Sequence, residues 1–296
     1  MKAFDHYTPT TLPQALELLG RLDGQARVIA GGTDLMLKMK AGAIAPAAVV
    51  NIKRLPELKG IKHLVVESPT NPPTHQNIGL RLGALTTLRE LTRSPLIQER
   101  YPVLAEAADL MASEQIRSFA TVGGNLCNAA PSADLAPPLI ALGATVCLVG
   151  PGGERHLPLE AFFLGPGRSA LEAGELLKEI TLPPPEGQVL YCKQAPRAYM
   201  DIAVAGVAAS LHLVNGLCQK ARIVLGAVAP VPLRVRLAES ELTVQPLTAD
   251  RIDRAASLAA AGCSPIDDVR GSAWYRRRMV QVLTRRALQQ LGEANQ

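Results

Sequence analysis

Apolar and polar positions follow each other in two rhythms, and the places where the rhythm changes mark out the elements. Thr11-Leu-Pro-Gln14 has the makings of a helix start: a hydroxyl to cap, a proline in the first turn and a glutamine to close a capping box. Ala15, Leu16 and Leu19 then recur at helical spacing. The short run from Arg27 to Ala30 predicts a strand, the pattern from Thr33 to about Gly42 a helix, and Ala47 to Ile52 another strand. Such alternation favours an α/β layer.

His63 to Val66 reads as a strand, and Asn77 to Ala84 as a clearer one. There Ile78, Leu80, Leu82 and Ala84 alternate with Asn77, Gly79, Arg81 and Gly83, the period of a half-buried strand. Between them ESPTNPPTHQ (67–76) reads as a polar, proline-rich loop. Thr87-Leu-Arg-Glu90 is a second capping box, opening a helical region that runs to Met111. Ser132-Ala-Asp134 can cap a helix reaching Leu142, and Ala144 to Val149 predicts a strand.

TLPPPEGQ (181–188) is the boundary candidate, because three successive prolines neither pair in a sheet nor continue a helix. Beyond it, Val189 to Gln194, Ala203 to Val214 and Ala221 to Val228 predict strands, with Asn215-Gly216 as a hairpin turn. Two helices close the chain, from about Ala249 to Ala261 and from Ser272 to about Leu291. The pattern predicts a first domain over 1–182 and a second, α+β domain over 187–291.

Composition narrows the function. The 296 residues are 48% hydrophobic and 19% charged, a globular chain of about two domains that needs neither disulfide nor metal to fold. A net charge of +5 with 3% aromatics and one tryptophan, Trp274, argues against nucleic-acid binding. The five cysteines (Cys127, Cys147, Cys192, Cys218 and Cys263) are odd in number and form no C-x-x-C, so free thiols in a reducing compartment are expected. Asp5 and His6 stand where a signal peptide needs an apolar core, and 135–150 is too short to span a bilayer and holds two prolines. The expectation is a soluble, cytoplasmic protein.

The chemistry concentrates at two glycine pairs. VIAGGTDLM (28–36) halts an apolar run at Gly31-Gly32, and Phe119-Ala-Thr-Val122 runs into Gly123-Gly124-Asn125. Paired glycines let the main chain approach a ligand and align its N–H groups, and a helix beginning there favours an anion. Two such turns could hold the two phosphates of a dinucleotide, although neither is G-x-G-x-x-G or a Walker loop. Tight strand-to-helix turns remain the alternative. Thr33 and Thr121 offer neutral donors, whereas the Asp34 carboxylate must turn from a phosphate or bond to hydroxyl or amide groups. No Ser-His-Asp set or metal cluster stands out. His6, His63, His75, His156 and His212 are scattered and read as structural or solvated.

At these residues the chain resembles a known family. AGGTDLM (30–36) and TVGGNLCNAAPSADLAP (121–137) are similar to the two FAD-binding motifs of the flavoprotein, or medium, subunit of the molybdenum hydroxylases, the family of carbon monoxide dehydrogenase and xanthine dehydrogenase. Glu175 to Pro183 resembles the strand leading out of the flavin domain, and Lys193-Gln-Ala with Asp201-Ile-Ala203 the motif opening the C-terminal domain. WYRRRMVQVLTRRAL is similar to the family's last helix.

The resemblance implies an α+β fold: a two-subdomain FAD-binding domain of the vanillyl-alcohol-oxidase (PCMH) type, then a small α+β C-terminal domain. It implies cofactor contacts from Ile29, Ala30, Gly31, Gly32, Thr33, Asp34, Leu35 and Met36, and from Thr121, Gly123, Gly124 and Asn125. Asp134, Met111, Leu177 and Lys193 match further contact positions; Lys193 by itself reads as a solvent-exposed strand lysine. Thr33 and Asp34 stand where covalent relatives carry a histidine, so the FAD is expected to be non-covalent. Cys127 has no companions in the place where one branch inserts a cysteine-rich loop, so no iron–sulfur cluster is expected, and no molybdenum.

The expected role is electron transfer, from a partner iron–sulfur small subunit reduced by a molybdenum-cofactor large subunit, through FAD, to NAD, a quinone or another acceptor, with no catalytic residue in this chain. A stand-alone flavin oxidoreductase and a nucleotide-binding scaffold with a degenerate site are the alternatives. Arg276–Arg278 and Arg285–Arg286, on a helix whose apolar stripe includes Met279, Leu283 and Ala287, read as a solvated face, with subunit contact as the alternative.

Overall fold

The computed structural model describes residues 1–65 and 78–294; the loop expected over 67–76, with His75, Val66 and Asn77, lies outside the described residues. At the N-terminus, β1 (Asp5–Tyr7), α1 (Leu12–Leu22), β2 (Ala26–Ile29), α2 (Leu35–Lys40) and β3 (Ala48–Asn51) form a small parallel sheet in the order β1-β3-β2. Asp5–Tyr7 has no apolar period, so β1 was invisible to the pattern. Thr11 caps α1 by accepting from the Gln14 N–H at 3.4 Å. The expected box closes one residue early, because Gln14 Oε1 accepts from the N–H of Thr10 at 3.2 Å instead of Thr11.

A five-stranded antiparallel sheet follows, in the order β4-β5-β10-β6-β7. Its strands are β4 (Ile61–Val65), β5 (Ile78–Gly83), β6 (Thr145–Gly150), β7 (Gly153–Pro158) and, after the short pair β8 (Phe163–Gly165) and β9 (Arg168–Ser169), β10 (Leu176–Leu182). Between β5 and β6 run α3 (Leu88–Arg93), α4 (Pro95–Arg100), α5 (Pro102–Asp109), α6 (Glu114–Arg117), α7 (Val122–Cys127) and α8 (Ala136–Ala141). They cover one sheet face, where Leu80, Leu82, Leu148 and Ile180 join Leu104, Leu126 and Leu139 in the main core. The Thr87–Glu90 capping box forms as read. On the opposite face of β5 the glycines meet backbone: a Cβ at Gly83 would stand 2.4 Å from the Leu58 carbonyl oxygen. The small parallel sheet docks on this side, with Leu55, Leu58, Val149 and Leu176 in one buried cluster.

Two expectations are corrected here. The second glycine pair does not precede a helix but lies inside the first turn of α7, which Thr121 caps. Asp134 does not cap α8; the N-cap is Leu135 without a side-chain bond, and prolines at the first helical positions remove the donors a cap would serve.

After the prolines, β11 (Gln188–Gln194), β12 (Ala205–Val214), β13 (Leu217–Gly226) and β14 (Leu233–Arg234) pair antiparallel in that order. Next come α9 (Arg236–Leu242), β15 (Gln245–Pro246, on the free end of β13), α10 (Ala249–Gly262) and α11 (Ala273–Glu293). Asn215 (φ 51°) and Gly216 (φ 77°) both take the left-handed conformation that a two-residue hairpin turn requires. One face of this sheet packs on α9 to α11 through Val207, Ile223, Ala255 and Leu288. The other face gives Tyr191, Ala208 and Val224 to the main core, so the hydrophobic interior continues past the prolines.

The arginine runs of α11 divide. Arg276 is buried, bonded to the Val204 carbonyl at 2.7 Å and paired with Asp268 at 2.7 Å, which corrects the solvated-face reading for this residue. Arg277, Arg278 and Arg286 are exposed, and Arg285 pairs with Asp253. All five cysteines are free thiols. No described helix is long and apolar enough to cross a membrane.

Candidate functional site

The first glycine loop links β2 to α2. Gly32 sits at φ 77°, a backbone that L-residues adopt only with strain. Gly31 is needed for a different reason: a Cβ there would stand 2.1 Å from the Phe119 carbonyl oxygen, so its absence lets the first loop lie against the segment entering the second. Met36 N–H bonds to Gly32 C=O and Lys38 N–H to Asp34 C=O. The N–H groups of Gly32, Thr33, Asp34 and Leu35, by contrast, have no partner among the described residues. A run of main-chain donors left open in this way suits an anionic group.

Asp34 turns toward the second motif. Its Oδ1 accepts from Asn128 Nδ2 at 3.2 Å and its Oδ2 from the Thr33 hydroxyl at 3.5 Å. Lys38 Nζ in turn donates to Asn128 Oδ1 at 2.7 Å. The carboxylate is therefore tied to an amide and held near an ammonium, and the two glycine segments are joined across their side chains.

The second segment is built otherwise. Val122 N–H bonds to Thr86 C=O, Gly123 N–H to Ala84 C=O and Asn125 N–H to Thr121 C=O, each at 2.9 Å, and Gly124 N–H to Thr121 Oγ1 at 3.0 Å. A Cβ at Gly123 would stand 2.6 Å from that of Ala84, so this glycine lets α7 lie flat on the end of β5. Six residues also give α7 little macrodipole. Its first-turn donors are already committed, and they do not supply the second half of an N–H cradle. What α7 presents is Asn125, whose Oδ1 is buried without a partner among the described residues. A buried acceptor left bare costs ~1–3 kcal/mol unless a group from outside satisfies it.

Open donors on one loop and an orphaned acceptor on the adjoining helix match the two needs of a dinucleotide flavin, whose pyrophosphate accepts hydrogen bonds and whose hydroxyl and imide groups donate them. The residues present thus fit FAD.

A second group of residues assembles from the other expected positions. Lys193 Nζ on β11 lies 2.9 Å from Asp134 Oδ2, with side chains 6% and 8% exposed, so the solvent-exposed reading of Lys193 is overturned. Its ammonium also donates to the Leu110 carbonyl at 3.4 Å, next to Met111, whose own carbonyl accepts from Arg117 at 2.9 Å. Tyr191 OH donates to Asp134 Oδ1 at 2.8 Å. Burial pushes the Asp134 carboxyl up from its ordinary 3.8, while the charge and hydrogen bond of Lys193 and the bond from Tyr191 pull it down. Burial and Asp134 push the Tyr191 phenol well above its ordinary 10.0, so it stays a donor.

Tyr191 was missed in the sequence, although its position two residues before Lys193 puts both on one strand face. Leu177 is 4% exposed in the main core, opposite Leu148 on β6, and offers only apolar support. Ile29, Ala30, Leu35 and Met36 are partly buried around the first loop, the Ile29 side chain lying under Gly32. An open cavity of about 490 Å³, lined by Thr92, Arg93, Glu106, Asp109 and Glu114 among others, shares no residue with either group.

Comparison with known proteins matches this architecture. Residues 2–185 match the family described as the FAD binding domain in molybdopterin dehydrogenase, and residues 191–291 match the CO dehydrogenase flavoprotein C-terminal domain. The chain is 35% identical to the carbon monoxide dehydrogenase medium chain of Hydrogenophaga pseudoflava, over 96% of each chain. It is 32% identical to a putative xanthine dehydrogenase FAD-binding subunit of Escherichia coli K12, over 96% of this chain and 94% of that one. Among solved structures, it superposes on carbon monoxide dehydrogenase from H. pseudoflava with a TM-score of 0.89 and 34% identity, covering 97% of this chain and 96% of the other. Quinoline 2-oxidoreductase from Pseudomonas putida 86 gives 0.89 at 28% identity, covering 99% of both chains.

Proposed function

The chain belongs to the family of FAD-binding flavoprotein subunits of molybdenum-containing dehydrogenases, and from this we propose that it holds FAD non-covalently at its glycine segments and relays electrons within such a complex. The observation that carries the reading is the open run of N–H groups from Gly32 to Leu35, tied through Asp34 and Asn128 to the helix bearing the orphaned Asn125 acceptor. Gly32 to Leu35 would bind the pyrophosphate through their N–H groups, with the Thr33 hydroxyl turning to it from its long 3.5 Å bond to Asp34. Gly31, Gly123 and Gly124 would set the spacing of the two segments, Thr121 would fix α7, and Asn125 would accept from the cofactor.

Bound FAD supplies the step between one-electron and two-electron carriers. The chain's part is to bind and orient it and to set charge around it. Lys193 and Asp134, held beside Met111, would present a fixed ammonium and carboxylate at the second set of contacts, with Tyr191 and Leu177 supporting them. Attachment would be non-covalent, because Ala30 to Met36 contains no cysteine or histidine and burial pushes the Cys127 thiol up to about 12, keeping it protonated.

Residues 1–182 would form the flavin-binding part and 187–291 the C-terminal part. The partners would be an iron–sulfur small subunit and a molybdenum-cofactor large subunit, with NAD, a quinone or another carrier as acceptor. Free thiols fit a reducing, cytoplasmic setting. Acid treatment of the isolated chain tests the reading: intact FAD should be released, and FAD at 100 times its dissociation constant should add about 2.7 kcal/mol to the apoprotein's stability. A colourless chain whose unfolding ignores added FAD overturns it.

A further inference from the structure

Outside this site, among the described residues, metal-ligating side chains converge at the outer hairpin of the antiparallel sheet. Cys147 on β6 stands directly opposite His156 on β7, and Glu154, two residues earlier on β7, projects from the same face. Glu154 and His156 lie 7 and 9 residues after Cys147 and match no familiar ligand spacing, which is why the sequence showed no metal cluster. Only the hairpin pairing brings them together.

The geometry is close to a coordination set. One ligand atom from each residue lies within 4.8 Å of the other two, and Cys147 Sγ is 3.4 Å from Glu154 Oε2. Neighbouring ligands of tetrahedral zinc stand about 3.5 Å apart, so closure asks for movements of about 1 Å. Those movements fall on the exposed Glu154 and His156 at the sheet edge, while Cys147 is fully buried and fixed. Glu154 offers Oε2 toward the sulfur, and its Oε1 is held by Lys178 Nζ. Ligating carboxylates commonly have such an outer partner to orient them. Lys178 therefore can stay in place when a cation takes the other oxygen. Glu179, opposite Cys147 on β10, adds negative charge nearby and is itself paired with Arg81 at 3.3 Å.

We propose that this hairpin is a divalent transition-metal site that takes zinc through Cys147 Sγ, Glu154 Oε2 and one nitrogen of His156, with water completing the tetrahedron. Thiolate, imidazole and carboxylate together suit zinc, and exclude magnesium or calcium as the preferred occupant. Zinc takes the thiolate, so binding releases one proton, from the Cys147 thiol, and involves no change of oxidation state. The metal clips the edge strand β7 to β6.

The test is metal uptake by the full-length chain as isolated. Zinc is titrated against a chromophoric chelator, and cobalt(II) serves as the spectroscopic probe. The expected result is one equivalent per chain, with tetrahedral cobalt ligand-field bands to the red of any flavin absorption. His156→Ala and Glu154→Gln, both at exposed positions that leave the fold intact, should each weaken zinc binding by about tenfold or more. Cys147→Ser should remove the sulfur-to-cobalt charge-transfer band. No saturable uptake at micromolar metal, or uptake unchanged in His156→Ala, overturns the proposal.

Discussion

Lys193 and Asp134 stand 59 residues apart on either side of the proline linker, yet their charged atoms lie 2.9 Å apart and both side chains are more than nine-tenths buried. A buried ion pair is a weak source of net stability but a costly one to break, because the survivor is left charged in a dry place.

Lys193→Met should therefore cost ~3–5 kcal/mol in chemical unfolding, and Asp134→Asn a comparable amount. The double variant should recover a large part of the sum, since neither charge is then stranded. Both single variants should also lower FAD affinity. A strictly additive cycle would show that the pair is not coupled and would remove it from the site.

The two residues of the first glycine pair should respond differently to a single methyl. Gly31→Ala drives a Cβ into the Phe119 carbonyl at 2.1 Å and must separate the two segments. Gly32→Ala strains a φ of 77° and meets the movable end of Ile29 at 3.1 Å, at a cost of ~1–2 kcal/mol. Flavin content after purification should fall further in Gly31→Ala than in Gly32→Ala. The reverse order would mean that loop conformation, and not the contact between segments, governs binding.

Arg276→Met should lower stability by ~3 kcal/mol, because it strips the buried Val204 carbonyl and the partly buried Ala227 carbonyl of their donor. Arg278→Ala, on the exposed side of the same helix, should change it by no more than ~0.5 kcal/mol. Thermal unfolding of the two variants side by side checks this; equal effects would return Arg276 to the solvated face.

Glu175 provides the pH prediction. Two hydrogen bonds from Arg155, both at 2.7 Å, hold its carboxyl below the ordinary 4.5. A carboxyl depressed in the folded state adds stability that is complete above the unfolded value and is lost as pH falls through the folded one. Glu175→Gln should therefore be less stable than the parent above about pH 4.5 by a modest ~1 kcal/mol, discounted because Arg155 is 39% exposed. The gap should close on acidification below 4.5. A gap that widens in acid contradicts the assignment.

Much of this molecule was legible in the sequence because local signals and packing agree. The Thr87–Glu90 box, the Asn215-Gly216 turn and the strands from Gln188 to Gly226 follow from turn chemistry and a period of two. Asp5–Tyr7 was not legible, because its strand exists through pairing with Ala48–Val50 and not through a pattern of its own. At the site, the resemblance of the two glycine pairs concealed different uses. Both are a short apolar run and two glycines, but one leaves its N–H groups open, while the other binds its own to Thr86, Ala84 and Thr121. Such a difference depends on which carbonyls lie within reach, and those belong to distant strands. Lys193 and Arg276 were misread for a related reason. A long basic side chain reads as surface unless its buried partners, Asp134 or the Val204 carbonyl, are known.

The continuous interior beneath the prolines has a consequence for cutting the chain. Cleavage between Pro183 and Pro185 would expose the apolar wall of Tyr191, Ala208 and Val224 on one piece, and leave a carboxylate without its cation on the other. The fragments would behave as complementing halves. Neither would reach its native state alone, and mixing them would restore both the wall and the ion pair. Linker and boundary are, in this protein, different things.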